Sequence, residues 1–274
     1  MKDITFIVKT FERPYCIKRL VKSVVKKYPD ARILIADDSE KTCKNYFEHS
    51  KWSKNVQVYE LPHDCGLSKG RNYLVDKVET RYFVLLDDDF IFDDRTDILR
   101  ALEILKVKDL DILGGYFRNY KAITINFLKY PYILLRILFK CEKPFNYLGT
   151  IEEDTANKTL TVNYIEHQFP KYTDSDIVHN FFIAKTDVVK LRNRWDEDLK
   201  LQEHTAFFYT AKKNGLKVGF SNEFSVQHRP IRVYKYRSFR KRNFIKVFME
   251  KNDFLKIISK YDNREIKIIE YDKL

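Results

Sequence analysis

The chain has 274 residues, 44% of them hydrophobic and 15% aromatic, enough apolar material for one packed core with a small appendage, which excludes a disordered or fibrous chain. Seven glycines are too few for glycine-rich low complexity, and no internal repeat is present. The formal charge is +12, and residues 229–274 hold 14 Lys and Arg against 6 Asp and Glu, with no acid between 229 and 249, so this end is expected to meet something anionic.

Residues 4–8 alternate Ile4, Phe6 and Val8 and predict a strand ending at Thr10. They are too short for a secretory signal core. Pro14 opens a helix with Ile17, Leu20, Val21, Val24 and Val25 on one face. Residues 32–36 are apolar at nearly every position, as in a parallel strand buried on both sides. Residues 56–61 form a third candidate strand, and residues 68–78 a helix with Leu74, Val75 and Val78 inward. Residues 82–86 are a continuous apolar strand running into Asp87, Asp88 and Asp89. A helix near 96–106 and a strand near 111–116 follow.

The second half is less regular. Residues 120–140 form an apolar, aromatic and basic insertion, read as an amphipathic helix broken at Pro131; with Pro131 and Arg136 inside it, the stretch 130–139 cannot span a bilayer. Residues 145–151 and 160–165 suggest a hairpin turning near 156–158. Residues 177–184 read as a strand, 203–213 as a helix stopped by Gly215, and 217–221 as a short strand leading to His228. From Arg229 onward a basic helical extension is expected. Cys16, Cys43, Cys65 and Cys141 match no metal-ligand spacing, so free thiols in a reducing, cytoplasmic setting are expected.

Strands alternating with helices at this spacing mean an α/β fold with a mostly parallel central sheet flanked by helices. Ligands bind such sheets beyond the carboxyl ends of the strands. Four polar clusters fall there: residues 10–13, residues 37–39, the loop 64–72 and residues 87–89. Three consecutive aspartates repel one another unless a cation neutralises them, and hard carboxylate oxygens suit Mn²⁺ or Mg²⁺ with diphosphate completing the shell. Gly66 to Asn72 is a glycine-bounded loop opening a helix; its backbone N–H groups, with Lys69 and Arg71 beside Gly70 and Asn72, suit phosphate. His63, His167 and His179 receive no role.

Taken in order, Thr10, the strand end Ile35 to Ser39, the loop Gly70-Arg71-Asn72, Asp87-Asp88-Asp89-Phe90, Asn180-Phe181-Phe182 and the segment 195–208 resemble glycosyltransferase family 2. Within it they look most like ganglioside N-acetylgalactosaminyltransferase catalytic domains and related bacterial glycosyltransferases. The resemblance covers residues 4–228 and implies a GT-A catalytic domain there, its nucleotide-binding half at 1–117 and its acceptor-binding half at 118–228. Residues 229–274 lie outside it. It implies that Thr10, Glu12 and Arg13 line the nucleotide-sugar pocket, Asp38 bonds the uracil ring, Arg71 faces the donor, and Asp88 the ribose. It further implies that Asp89 and Asp87 ligate the metal and that His228 completes the metal or diphosphate site. Glu203 and His204 lie where relatives place the acceptor-activating residue, and Glu203 is expected as base with His204 orienting. The sequence departs from the pattern at Ala206, where relatives commonly carry an acid before the Phe-Phe pair.

The implied function is inverting, metal-dependent transfer of a hexose or N-acetylhexosamine from a UDP-sugar to a glycan or lipid-linked acceptor hydroxyl. The basic tail suggests an anionic membrane surface, at its cytoplasmic face. Two alternatives are weighed. A nucleotidyltransferase acting on sugar phosphates should show a glycine-rich loop after the first strand, and residues 10–13 contain no glycine. A nucleic-acid-binding protein would explain the basic, aromatic tail but not the aspartate triplet.

Overall fold

The structure is a computed structural model that describes residues 1–120, 123–124, 142–144, 148–165, 170–232, 236, 239, 242–261 and 264–273. The amino-terminal half alternates as predicted: β1 (Ile4–Thr10), α1 (Pro14–Lys27), β2 (Arg32–Asp37), α2 (Lys44–Glu48), β3 (Val56–Glu60), α3 (Leu67–Lys77), β4 (Tyr82–Asp87), β5 (Phe90–Ile91), α4 (Ile98–Val107) and β6 (Ile112–Tyr120). Then come β7 (Ile123–Thr124), β8 (Glu142–Pro144), β9 (Gly149–Asp154), β10 (Thr159–Tyr164), β11 (Thr173–Asp174), β12 (Phe182–Lys185), α5 (Thr186–Arg192) and α6 (Glu203–Lys213). The chain continues through β13 (Val218–His228), β14 (Ile231–Arg232), α7 (Ile245–Lys251), β15 (Lys256–Tyr261) and β16 (Arg264–Glu270).

The central sheet runs β11-β13-β6-β12-β4-β1-β2-β3, with β5 on β13 and β8 on β6. Strands β1 to β4 are mutually parallel, and β6 with β13 continue that direction across the antiparallel β12. Side chains alternate between two cores: Phe6, Val8, Val84 and Leu86 meet α1 and α4 on one face, while Ile7, Phe83 and Leu85 meet α3 and α6 on the other. That two-sided burial is why β2 and β4 read as continuous apolar runs. Asp97 caps α4 by accepting from the Arg100 N–H at 3.0 Å.

Three expectations are corrected. Within 177–184 only Phe182–Lys185 is strand, because Ile177 bridges Gly149 instead and His179 stacks on Phe117 at 3.8 Å between centroids. The strand expected at 217–221 runs on to His228 beside β6, its period hidden by a bulge between Ser221 and Ser225. Among its described residues the tail is only partly the helical extension expected: residues 236 and 239 are helical and α7 has seven residues, but β15 pairs parallel to β10 while β16 pairs β15. The hairpin β9–β10 leaves an open ladder edge, and residues 256–261 fill it. Ile245, Phe248, Met249, Phe254 and Ile257 share the core beneath α3 and α6. The hairpin itself is as expected from 149 onward; residues 145–147 and most of the 120–140 insertion lie outside the described residues. Cys16, Cys43 and Cys65 are free thiols, and among the described residues no helix is long and apolar enough to cross a membrane.

Candidate active site

Register decides which side chains meet. Thr10 pairs with Asp37 and Lys9 with Asp87, so β1, β2 and β4 end side by side. β5 turns back and pairs Phe90 with His228, which brings the end of β13 to the same edge. The Thr10 hydroxyl donates to Asp88 Oδ2 at 2.7 Å. Arg13, at the start of α1, forms an ion pair with Asp88 and another with Asp89, the latter at 2.8 Å. Arg71, buried on α3, reaches Asp87 at 3.2 Å and pairs with Glu203 at the start of α6. His228 Nε2 lies 3.5 Å from Asp89 Oδ1, and its Nδ1 lies 2.7 Å from Asn119 Oδ1.

Burial sets the electrostatics. It raises Asp87 and pushes Asp88 up to about 7, against the pull of nearby guanidinium groups. Asp89 moves the other way, because Arg13 and His228 outweigh its burial and hold it below the usual carboxylate range. Burial alone would lower Arg13 and His228, but the carboxylates facing them win and both are raised. Burial lowers His204 to about 4, so its imidazole is neutral at neutral pH.

Among the described residues no three His, Cys, Asp or Glu side chains are arranged to hold a metal ion. The donor set of Asp87, Asp89 and His228 nonetheless suits Mn²⁺ or Mg²⁺ chemically. Arg13 Nε is buried without a hydrogen-bond partner, although its terminal nitrogens pair with Asp88 and Asp89. The guanidinium is thus an incomplete match for the carboxylates around it.

The remaining expected residues have more structural surroundings. Glu12 sits in the left-handed region at φ 53; its N–H donates to Ser39 Oγ at 2.7 Å and its carboxylate accepts from the Glu40 N–H at 2.9 Å. Asp38, expected at the uracil, is fully buried, ion-paired with Lys9, and accepts from the Gly66 N–H at 3.1 Å. Gly70 lies inside α3 rather than in a loop; a Cβ there would meet Lys9 Cγ at 2.6 Å, so close helix–strand approach requires glycine. Asn72 is spent on Trp195 and Glu197, donating at 2.8 and 3.0 Å and accepting from the Trp195 N–H at 3.0 Å. Glu203 is 3% exposed beneath Arg71, and His204 Nδ1 meets Asn180 Oδ1 at 2.8 Å.

Sequence reasoning missed several participants. Lys9 carried a signal, a charge in mid-strand where every neighbour is buried. Asn119 carried none, and Tyr236, Phe239 and Arg242 stood out only as part of a basic, aromatic tail, with nothing to place them at this site. The Tyr236 ring lies 4.2 Å from the Arg13 guanidinium, and Phe239 meets Phe11 edge-on at 4.8 Å. Arg242 grips Asp64 with two bonds of 2.6 Å. The tail therefore forms part of the rim of this site.

Residues 5–165 match the family Glycosyl transferase family 2. The chain is 30% identical over 209 residues to beta-1,4 N-acetylgalactosaminyltransferase 2 of Mus musculus, covering 75% of this chain and 35% of that protein. It is 30% identical over 231 residues to beta-1,4 N-acetylgalactosaminyltransferase 1 of Homo sapiens, covering 82% and 38%. The chain thus spans little more than a third of these relatives. The crystal structure of GalNAc-T7 with UDP, GalNAc and Mn²⁺ superposes with a TM-score of 0.58 at 15% identity, over 84% of this chain and 44% of that one. The architecture is the GT-A fold.

Proposed function

This chain belongs to glycosyl transferase family 2, and from that premise we propose that it moves a sugar, with inversion, from a UDP-sugar to an acceptor hydroxyl. The observation that carries the proposal is the gathering of Thr10, Arg13, Asp87, Asp88, Asp89 and His228 at one edge of the sheet. Support for the donor comes from the neighbour crystallised with UDP, GalNAc and Mn²⁺ and from relatives named as N-acetylgalactosaminyltransferases. A UDP-N-acetylhexosamine is therefore the first donor to try.

In this reading Thr10 and Asp88 bind the ribose, Arg71 and Arg13 serve the diphosphate, and Asp87, Asp89 and His228 hold Mn²⁺ or Mg²⁺. When bound, the ion offsets charge developing on the leaving diphosphate. Glu203 takes the acceptor proton once Arg71 has turned to the donor, and neutral His204, held by Asn180, orients the acceptor. Family membership leaves the nucleotidyltransferase and nucleic-acid readings without support.

The test is hydrolysis of a UDP-sugar panel with Mn²⁺. Slow release of UDP from one donor is expected; no hydrolysis together with no UDP binding overturns the reading. The acceptor is proposed to be a glycan or a lipid-linked sugar at the cytoplasmic face of an anionic membrane. The tail's surplus of basic residues supports this, although Arg242 is already engaged by Asp64. Flotation with anionic liposomes should exceed that with neutral ones at low salt; equal recovery removes the membrane proposal.

A further inference from the structure

Resting on that metal reading, we infer that Arg13, anchored on Asp88, is a built-in counter-ion that competes with the divalent cation for Asp89, so that the cation binds well only after a nucleotide diphosphate has drawn the guanidinium away. The geometry carries the inference. The Arg13 guanidinium holds Asp89 Oδ2 at 2.8 Å and pairs with Asp88, taking an Asp89 oxygen that the ion would need. Its side chain is 11% exposed, so little solvent screens the pairing.

Competition for oxygens gives the direction. Four acids, Asp87, Asp88, Asp89 and Glu203, face the guanidinium groups of Arg13 and Arg71. Net charge leaves room for a divalent ion, but an Asp89 oxygen that it needs is held by Arg13. A diphosphate frees that oxygen by offering Arg13 a bidentate partner at least as good as the carboxylates. The Arg13 Nε loses nothing in the departure, since it is buried with no hydrogen-bond partner in the present position. The face of the Tyr236 ring, 4.2 Å from the guanidinium, gives the moving cation a surface to slide along. The backbone need not follow: Arg13 sits between Glu12, held at φ 53 by its bonds to residues 39 and 40, and Pro14 at the start of α1.

The experiment measures Mn²⁺ affinity by electron paramagnetic resonance of the unbound ion, with and without UDP, on the whole chain. Wild type should bind Mn²⁺ weakly alone and at least about tenfold more tightly with UDP. Arg13→Gln should raise affinity for Mn²⁺ alone by roughly tenfold or more, the scale on which one neighbouring charge acts, and should shrink the gain from UDP. Arg13→Lys, which keeps the charge but loses the fork, should shift the same way by less, and it carries the test should Arg13→Gln show no cooperative melting. Mn²⁺ affinity in the absence of UDP that is unchanged or weaker in the variant overturns the counter-ion role. The underlying metal reading fails separately, if wild type with UDP binds no Mn²⁺ or if Asp89→Asn binds it as wild type does.

Discussion

Two carboxylate–arginine clusters, one buried and one half-buried, lie a few residues apart along the chain and are built to opposite standards. Asp93 accepts from Arg118 through both terminal nitrogens, from Gln227, and from the Arg95 N–H at 3.1 Å, while Arg118 Nε donates to Ser225 Oγ at 3.1 Å. Every charged atom there has a partner. At Asp87–Asp89 three acids share two arginines and a histidine, Arg71 is shared again with Glu203, and Arg13 Nε is buried with no hydrogen-bond partner. A saturated cluster fixes a fold; one left incomplete keeps binding capacity in reserve.

Asp89→Ala should break the incomplete cluster at the level of chemistry alone. Transfer should fall by about a thousandfold or more, with Mn²⁺-dependent UDP binding lost and a cooperative melting transition retained. A variant that unfolds instead would place Asp89 in the structural class with Asp93. Asp93→Ala should do the reverse. Leaving Arg118 buried and unpaired should cost about 3 kcal/mol of unfolding free energy in a denaturant titration, with kcat/KM of the folded fraction within about twofold of wild type.

Glu203→Gln tests which side of the divide a buried, paired acid at the site falls on. As base its loss should lower turnover about a hundredfold with UDP affinity almost unchanged. Full activity in this variant beside an inactive His204→Ala would move the base to the imidazole. The smallest effect is one of pH. Burial raises the Asp93 carboxyl, but hydrogen bonds from Arg118 and Gln227 and the Arg118 charge outweigh it, bringing it from 3.8 to about 2. Its contribution to stability is therefore complete above about pH 4 and disappears as pH falls through about 2. Wild type should lose more stability across that window than Asp93→Asn; parallel melting curves would show the cluster to be unlinked to protonation.

The amino-terminal half was legible because its strands are local and terminate on polar residues. Ile4 to Thr10, the Pro14 helix and the run into Asp87 each announce themselves within a dozen residues. The tail was not, because β15 finds its partner in β10, nearly a hundred positions earlier, and lysines interleaved with isoleucines satisfy a strand and a surface helix about equally. The aspartate triplet was visible as a cluster needing cations. That the chain supplies Arg13 and Arg71 itself was not, since pairing across 75 and 16 positions leaves no mark on periodicity. Gly70 was visible for the wrong reason: its value lies in the approach of α3 to Lys9.

The bidentate grip of Arg242 on Asp64 spans 178 positions. At translation rates of about 5–20 residues per second, roughly ten to forty seconds separate the synthesis of its two halves. The strands β1 to β4 can fold during that interval, but the rim over Phe11, Arg13 and Asp64 cannot. A nascent chain stalled before residue 236 should thus carry the aspartates and both arginines in place while lacking the aromatic cover that Tyr236 and Phe239 provide. Competence to retain a nucleotide would then arise only once the tail has been made, well after β1 to β4 have folded.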